Sequence, residues 1–232
     1  MIPLHDDNPT ESTPFVTIGA IVTCVLVFLY QVSLPDQSGQ LFVFEYGAIP
    51  ALVFGQAQHS VESVSPYATL ITSMFLHGGW MHLIGNMLYL WIFGNNIEDV
   101  MGHVRFVVFY LTCGILAALS HAVTDPTSTL PMVGASGAIS GVLGAYILLF
   151  PHAHVLVFIP GLGMTRVPAG IVLGMWFATQ LLSGGMTFGA HGGGVAFFAH
   201  IGGFVGGMVL IGLFKRRNVP YFAPERTQRW NA

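Results

Sequence analysis

Six long apolar runs, nearly free of charge, limit what this chain can become. A helix that crosses a bilayer needs about 20 mostly apolar residues. The runs Phe15 to Leu34, His77 to Gly94, Val104 to Val123, Gly134 to Phe150, Val167 to Leu182 and Gly194 to Phe214 fit that requirement, with Tyr67 to Leu76 as a lead-in to the second. Only 7% of the residues are charged and 53% are hydrophobic, whereas soluble domains carry roughly a quarter of charged residues. The expected fold is an all-α membrane protein built as a bundle of six transmembrane helices.

The seven lysines and arginines sharpen this picture. Arg105 falls between runs two and three, Arg166 between four and five, and Lys215, Arg216, Arg217, Arg226 and Arg229 after the sixth. Basic residues favour the cytoplasmic side of a membrane, so an even count with both termini inside is expected. The chain divides into a cytoplasmic N-terminal segment 1–14, a membrane domain 15–214 and a basic cytoplasmic tail 215–232. The N-terminal segment has acids but no basic residue, unlike a cleavable signal or transit peptide. The basic tail fits a bacterial inner membrane. The connection Pro35 to Pro66 carries apolar and aromatic pieces without a full span, the mark of a structured or interfacial loop.

A net charge of −3 and the absence of a basic patch interleaved with aromatics argue against nucleic-acid binding. Cys24 and Cys113 lie inside apolar runs without CxxC spacing and read as small hydrophobes. No Asp, Glu, Lys or Arg stands well inside a run, so a charged transport pathway is unsupported.

Histidine, asparagine and serine remain, and each intramembrane polar group needs a reason. His82 and Asn86 are four residues apart, hence on one helical face. Ser136 heads the fourth run and His200 stands near the head of the sixth, both at the outer end. Their depths differ by about 6 Å, at roughly 1.5 Å per residue. Gly134, Gly137 and Gly141 on one side, and Gly203 and Gly207 on the other, are small enough to let the helices approach at the site. A serine hydroxyl needs a base, and neutral histidine is the usual one. With no intramembrane acid, a Ser136–His200 dyad is expected rather than a triad. Acyl transfer also needs donors for an oxyanion, and the Asn86 amide, the His82 ring and the Ser136 backbone N–H supply candidates. No metal and no cofactor enter this reading.

At these residues the chain resembles the rhomboid family of intramembrane serine proteases. The resemblance is carried by Gly134-Ala135-Ser136-Gly137 (GxSG), Ala199 to Gly203 (AHxxG) and His82 to Asn86 (HxxxN). Glu98 to Gly102 with Arg105-Phe106, and Tyr46-Gly47-Ala48-Ile49-Pro50, support it from about Phe15 to Phe214. It implies a six-span bundle of the rhomboid type. Ser136 would be nucleophile, His200 general base and then acid, and His82, Asn86 and the Ser136 amide the oxyanion hole. It also implies a single-span membrane protein as substrate, unwound near the outer surface and cut after a small residue. Two positions depart from the pattern of some bacterial members. Ser140 stands where they carry a tyrosine that stacks on the catalytic histidine, leaving the support of His200 unnamed. The segment 35–66 also lacks a Trp-Arg pair. The glycine-rich stretch Ser183 to Gly193 is expected to be a loop able to gate the site.

Other readings account for less. Gly134 to Ala138 is not the GxSxG elbow of soluble hydrolases, because Ala138 replaces the last glycine. Haem or metal ligation would use His77, His82, His191 and His200, and leaves Asn86 and the glycines around Ser136 unexplained. A non-catalytic rhomboid-like helix-binding protein would lack the nucleophile or the base, and both are present.

Overall fold

The structure is a computed structural model that describes residues 1–57, 64–187 and 196–223. In chain order, strand β1 (Ile2–Asp6) precedes helix α1 (Phe15–Ser33), which is followed by α2 (Asp36–Tyr46), α3 (Pro50–Val53) and α4 (Pro66–Thr72). Helices α5 (Trp80–Met101), α6 (His103–Ala122) and α7 (Ser136–Leu149) come next. Strands β2 (His154–Ile159) and β3 (Gly163–Pro168) then lead to α8 (Ala169–Thr187) and α9 (Phe197–Phe214).

A helix stands at each of the six expected places, and four of these, Phe15–Ser33, His103–Ala122, Ala169–Met186 and Phe197–Phe214, are long and apolar enough to cross a membrane alone. Helix α7 is only 14 residues long, about 21 Å at helical rise. It can be short because its sides are covered by protein: Ala138, Val142, Leu143, Ala145 and Tyr146 are buried. A helix apolar on all sides belongs inside a bundle. Its backbone is bonded internally, as lipid requires, and its length is less than the roughly 30 Å hydrocarbon thickness.

Backbone contact joins α7 to α9. A Cβ on Gly203 or Gly207 would collide with the carbonyls of Gly137 and Gly141 respectively. The expected face-to-face glycine packing therefore exists, but α7 also uses its glycines against α6. A Cβ on Gly137 would lie 2.6 Å from Ala117 Cβ, and one on Gly141 2.5 Å from Cys113 Sγ. Helix α7 is wedged between two neighbours rather than one.

Away from Ser136, buried acids tie the chain's start to the bundle. The carboxylate of Glu98, itself fully buried, accepts the backbone N–H groups of Val16 (2.9 Å) and Thr17 (2.8 Å) and the Thr17 hydroxyl (2.7 Å). It thereby caps α1 from another helix, where orphan N–H groups and the positive end of the helix dipole favour an anion. Asp99 accepts in the same way from the backbone of Glu11 and Ser12 and from the Ser12 hydroxyl. Arg216 N–H donates to the Val100 carbonyl, and Arg166 pairs with Asp7 at 3.2 Å. Lys215, Arg216, Arg217, Arg166 and Arg105 thus share one end of the bundle, as the loop asymmetry requires. Arg226 and Arg229 lie outside the described residues.

The fold is the helical bundle expected, to which β1, β2 and β3 add a small antiparallel sheet in that order, with Val155 and Val157 buried beneath it, and two expected boundaries need correction. The segment Ile2–Asp6 has no strand period of its own and becomes a strand because β2 offers it an edge. The fifth helix begins at Ala169 rather than Val167, since Val167 and Pro168 complete β3. Ser183 to Thr187 continue α8 instead of opening a loop, and the remainder of that expected gate, 188–193, lies outside the described residues. The described part of the connection 35–66 carries α2 and α3, structured as expected, and residues 58–63 lie outside the described residues.

Candidate active site

Ser136 is the first residue of α7, so its backbone N–H has no acceptor within the helix. The approach to it is pinned by main-chain bonds. Ala48 and Met132 exchange two backbone bonds (3.0 and 2.8 Å), and Gly134 N–H donates to the Ser73 carbonyl (2.9 Å). The Tyr46–Pro50 piece of the first connection therefore holds the strand-like lead into the serine. Gly134 adopts φ +124°, and a Cβ there would lie 2.7 Å from the His82 ring. Both facts demand glycine.

Ser136 Oγ lies 2.8 Å from His200 Nε2. His200 sits in the first turn of α9, so the close α7–α9 crossing built by Gly203 and Gly207 is what delivers it.

His82 and Asn86 reach the same place from α5. Gly78 N–H donates to His82 Nδ1 at 3.2 Å, which leaves the ring proton on Nε2, the nitrogen facing Gly134. The Asn86 amide nitrogen is 3.6 Å from where a Gly134 Cβ would stand, and it is buried without a hydrogen-bond partner among the described residues. An orphaned buried donor costs about 1–3 kcal/mol. Atoms of Asn8, His77, Tyr110 and His121 are buried unpaired among the described residues as well, and Asn86 differs from Asn8, Tyr110 and His121 in standing beside Gly134. The His82 ring and the Asn86 amide nitrogen thus both stand beside Gly134, two residues before Ser136.

Ser140, in place of the expected stacking tyrosine, turns away from the histidine and donates to the Ser136 carbonyl at 2.6 Å, a common back-bond for serine within a helix. The histidine's other neighbours come from α8, which the sequence reading did not connect to the site. Trp176 lies against the ring at 5.8 Å between centroids, and Gln180 Oε1 is 2.8 Å from His200 Nδ1. The spacing of Trp176 and Gln180, four residues on one helical face, is the signal that could have marked them.

A small cavity opens at the serine, lined by Gly114, Ala117, Gly137 and Ala138 together with the larger Met74 and Met132. His77 is fully buried against Phe28 and edge-on to His82, at 5.2 Å between centroids. Gln31 of α1 holds its backbone, donating from Nε2 to the His77 carbonyl at 2.8 Å. Of the four histidines a metal or haem would use, His191 lies outside the described residues. Among those described, no three His, Cys, Asp or Glu side chains form a metal-holding group.

Comparison with known proteins places this geometry in context. Residues 65–217 match the family model described as the Rhomboid domain. The chain is 32% identical over 174 residues to Rhomboid protein 1, mitochondrial, of Saccharomyces cerevisiae, covering 72% of this chain and 48% of that protein. It is 32% identical over 157 residues to Rhomboid protease GluP of Bacillus subtilis, covering 67% and 28%. Presenilin-associated rhomboid-like protein A, mitochondrial, of Danio rerio is 31% identical over 148 residues, covering 62% and 36%. The chain thus spans less than half the length of each of these relatives. The match begins at residue 65, later than Phe15, where the motif-based resemblance starts. It covers well over half of the chain, and with His82, Asn86, Ser136 and His200 all inside it, this integral membrane protein belongs to the rhomboid family.

Proposed function

We propose that the chain is an intramembrane serine endopeptidase that cuts single-span membrane proteins within or near the outer end of their transmembrane helix. The carrying observation is the 2.8 Å contact between Ser136 Oγ and His200 Nε2, set beside the unpaired donor of Asn86. His200 Nε2 takes the hydroxyl proton as Oγ attacks the scissile carbonyl carbon. The carbonyl oxygen then carries a full negative charge, which Asn86 Nδ2, His82 Nε2 and the Ser136 N–H accommodate in a site already built for it. Collapse of that intermediate breaks the C–N bond, and His200 returns its proton to the leaving amine. Water, deprotonated by the same nitrogen, releases the acyl group and restores the serine.

The substrate class follows from position. Helix α7 starts below the membrane surface, so the serine meets a chain that is itself in the bilayer. Such a chain must lose helical bonds locally before its carbonyl can reach Oγ, and small or helix-breaking residues make that easier. The small cavity at Ser136, lined by alanines and glycines but also by Met74, Met132 and Val133, supports a small side chain next to the cut bond. The basic end of the bundle, where Asp7 meets Arg166 and Arg216 meets Val100, faces the cytoplasm of a bacterial inner membrane in this reading. No metal or cofactor takes part.

Treatment of the purified protein with a fluorescent fluorophosphonate tests the proposal. Labelling that disappears in Ser136→Ala and His200→Ala is expected. Unchanged labelling of Ser136→Ala, or cleavage of a transmembrane substrate by that variant, would sink it.

A further inference from the structure

The dyad uses one nitrogen of His200, and the other is held as well. Its Nδ1 stands 2.8 Å from Gln180 Oε1. Which end of the Gln180 amide faces the ring is decided by its other contacts. Gln180 Nε2 lies 3.5 Å from the Trp176 carbonyl and 3.3 Å from Thr179 Oγ1. The Trp176 carbonyl can only accept, and it already takes the Thr179 hydroxyl proton at 2.6 Å. Thr179 Oγ1, having given its proton, is left with lone pairs for the Gln180 NH2 group. Both neighbours call for a donor, so Nε2 must face them and Oε1 must face His200.

An acceptor at Nδ1 places the ring proton there. Nε2 is then a bare lone pair, the form that can take the Ser136 proton. We infer that Gln180 is the positioning residue of the dyad, fixing the tautomer and rotation of His200 as the aspartate does in a Ser-His-Asp triad. This rests on the dyad proposed above. An amide suits the location: it accepts a hydrogen bond without placing a charge in a spanning helix. The alignment of α8 with α9 is fixed on both sides of the contact. Trp176 packs against His200 one turn before Gln180. One turn after it, Gly184 lets Phe197 Cβ and Ile201 Cδ1 come within 3.4 Å of where its own Cβ would lie. With Ser140 turned to its own helix, support for the histidine passes from α7 to α8.

The rate of fluorophosphonate labelling of Ser136 in the full chain tests this inference, with Gln180→Leu and Gln180→Glu compared with the unmodified protein. Loss of a neutral hydrogen bond and of the tautomer it selects should slow labelling by Gln180→Leu about tenfold to a hundredfold. The reagent concentration giving half-maximal rate should stay unchanged. Gln180→Glu should recover most of the rate, because its carboxylate accepts the same bond. A purely packing role predicts the reverse order, since leucine is the better residue in an apolar helix. Wild-type labelling by Gln180→Leu overturns the inference, and so does a Gln180→Glu protein that keeps its melting temperature but labels more slowly than Gln180→Leu. If Gln180→Leu does not fold, Gln180→Glu decides alone: a folded variant slowed tenfold or more is a refutation. Absence of labelling in the unmodified chain would instead remove the dyad itself.

Discussion

The buried carboxylates at the basic end of the bundle and the Asn86 amide at the serine end stand in opposite states, although Asn8 Nδ2 at the basic end is also unpaired among the described residues. At the basic end, every carboxylate that matters is satisfied: Glu98 holds three donors from α1, together with His103 Nδ1 at 2.6 Å. Asp99 holds three donors from residues 11 and 12. Asp6 accepts from Tyr146 (2.7 Å) and Asn96 (2.8 Å). At the serine end, Asn86 is left with a buried donor unpaired and His82 directs its Nε2 at the empty side of Gly134. Saturated networks hold a fold together, whereas an unpaired buried donor adds no bond to it; under the proposed function, Asn86 is the donor whose partner is the substrate. The difference separates residues whose loss should unfold the protein from residues whose loss should silence it.

Substitutions at the two ends can break that separation. The largest effect is expected at Ser136: Ser136→Ala should lower cleavage of a transmembrane substrate by roughly 10⁴-fold or more, by comparison with serine proteases stripped of their nucleophile. Its thermal unfolding in detergent should be unchanged. Asn86→Ala should cost about 10²-fold in kcat, the usual worth of one oxyanion donor, and should not lower stability because no bond within the chain is lost. A drop in melting temperature with intact kcat would move Asn86 to the structural class.

Glu98→Ala should do the opposite. It leaves the first turn of α1 and the Thr17 hydroxyl without their acceptor, a loss of about 3 kcal/mol read as a lower denaturation midpoint. Fluorophosphonate labelling of whatever remains folded should be normal.

The smallest effect concerns pH. Burial pushes the Asp6 carboxyl up from 3.8 to about 6, against the pull of the bonds from Tyr146 and Asn96. The folded chain therefore holds this proton more tightly than the unfolded chain does. Its contribution to stability is complete below pH 4 and is lost as pH rises through about 6. Thermal unfolding followed from pH 4 to 7 should show a decline in that window, and Asp6→Asn should flatten it. A decline of equal size in Asp6→Asn would remove Asp6 as the cause.

The separation between the ends was partly readable before any coordinates. Ser136, His200, His82 and Asn86 stand out because polar residues inside apolar runs are costly and spaced at helical periods, and the described structure brings all four to one place. Glu98 and Asp99 also stood out, but a carboxylate at a helix end has many possible partners. That it caps α1, more than 80 residues earlier in the chain, depends on how two helices pack.

What the sequence alone determined is therefore the medium, the places of the six main helices, the basic end and the polar residues proposed to carry chemistry, because hydropathy and helical period act locally. Tertiary structure decided the rest. Strand β1 exists only because β2 offers it an edge. Helix α7 is short because protein rather than lipid surrounds it. His200 takes its support from Gln180 and Trp176 because the register of α8 on α9, fixed where Gly184 meets Phe197 and Ile201, is a matter of shape that no run of residues records on its own.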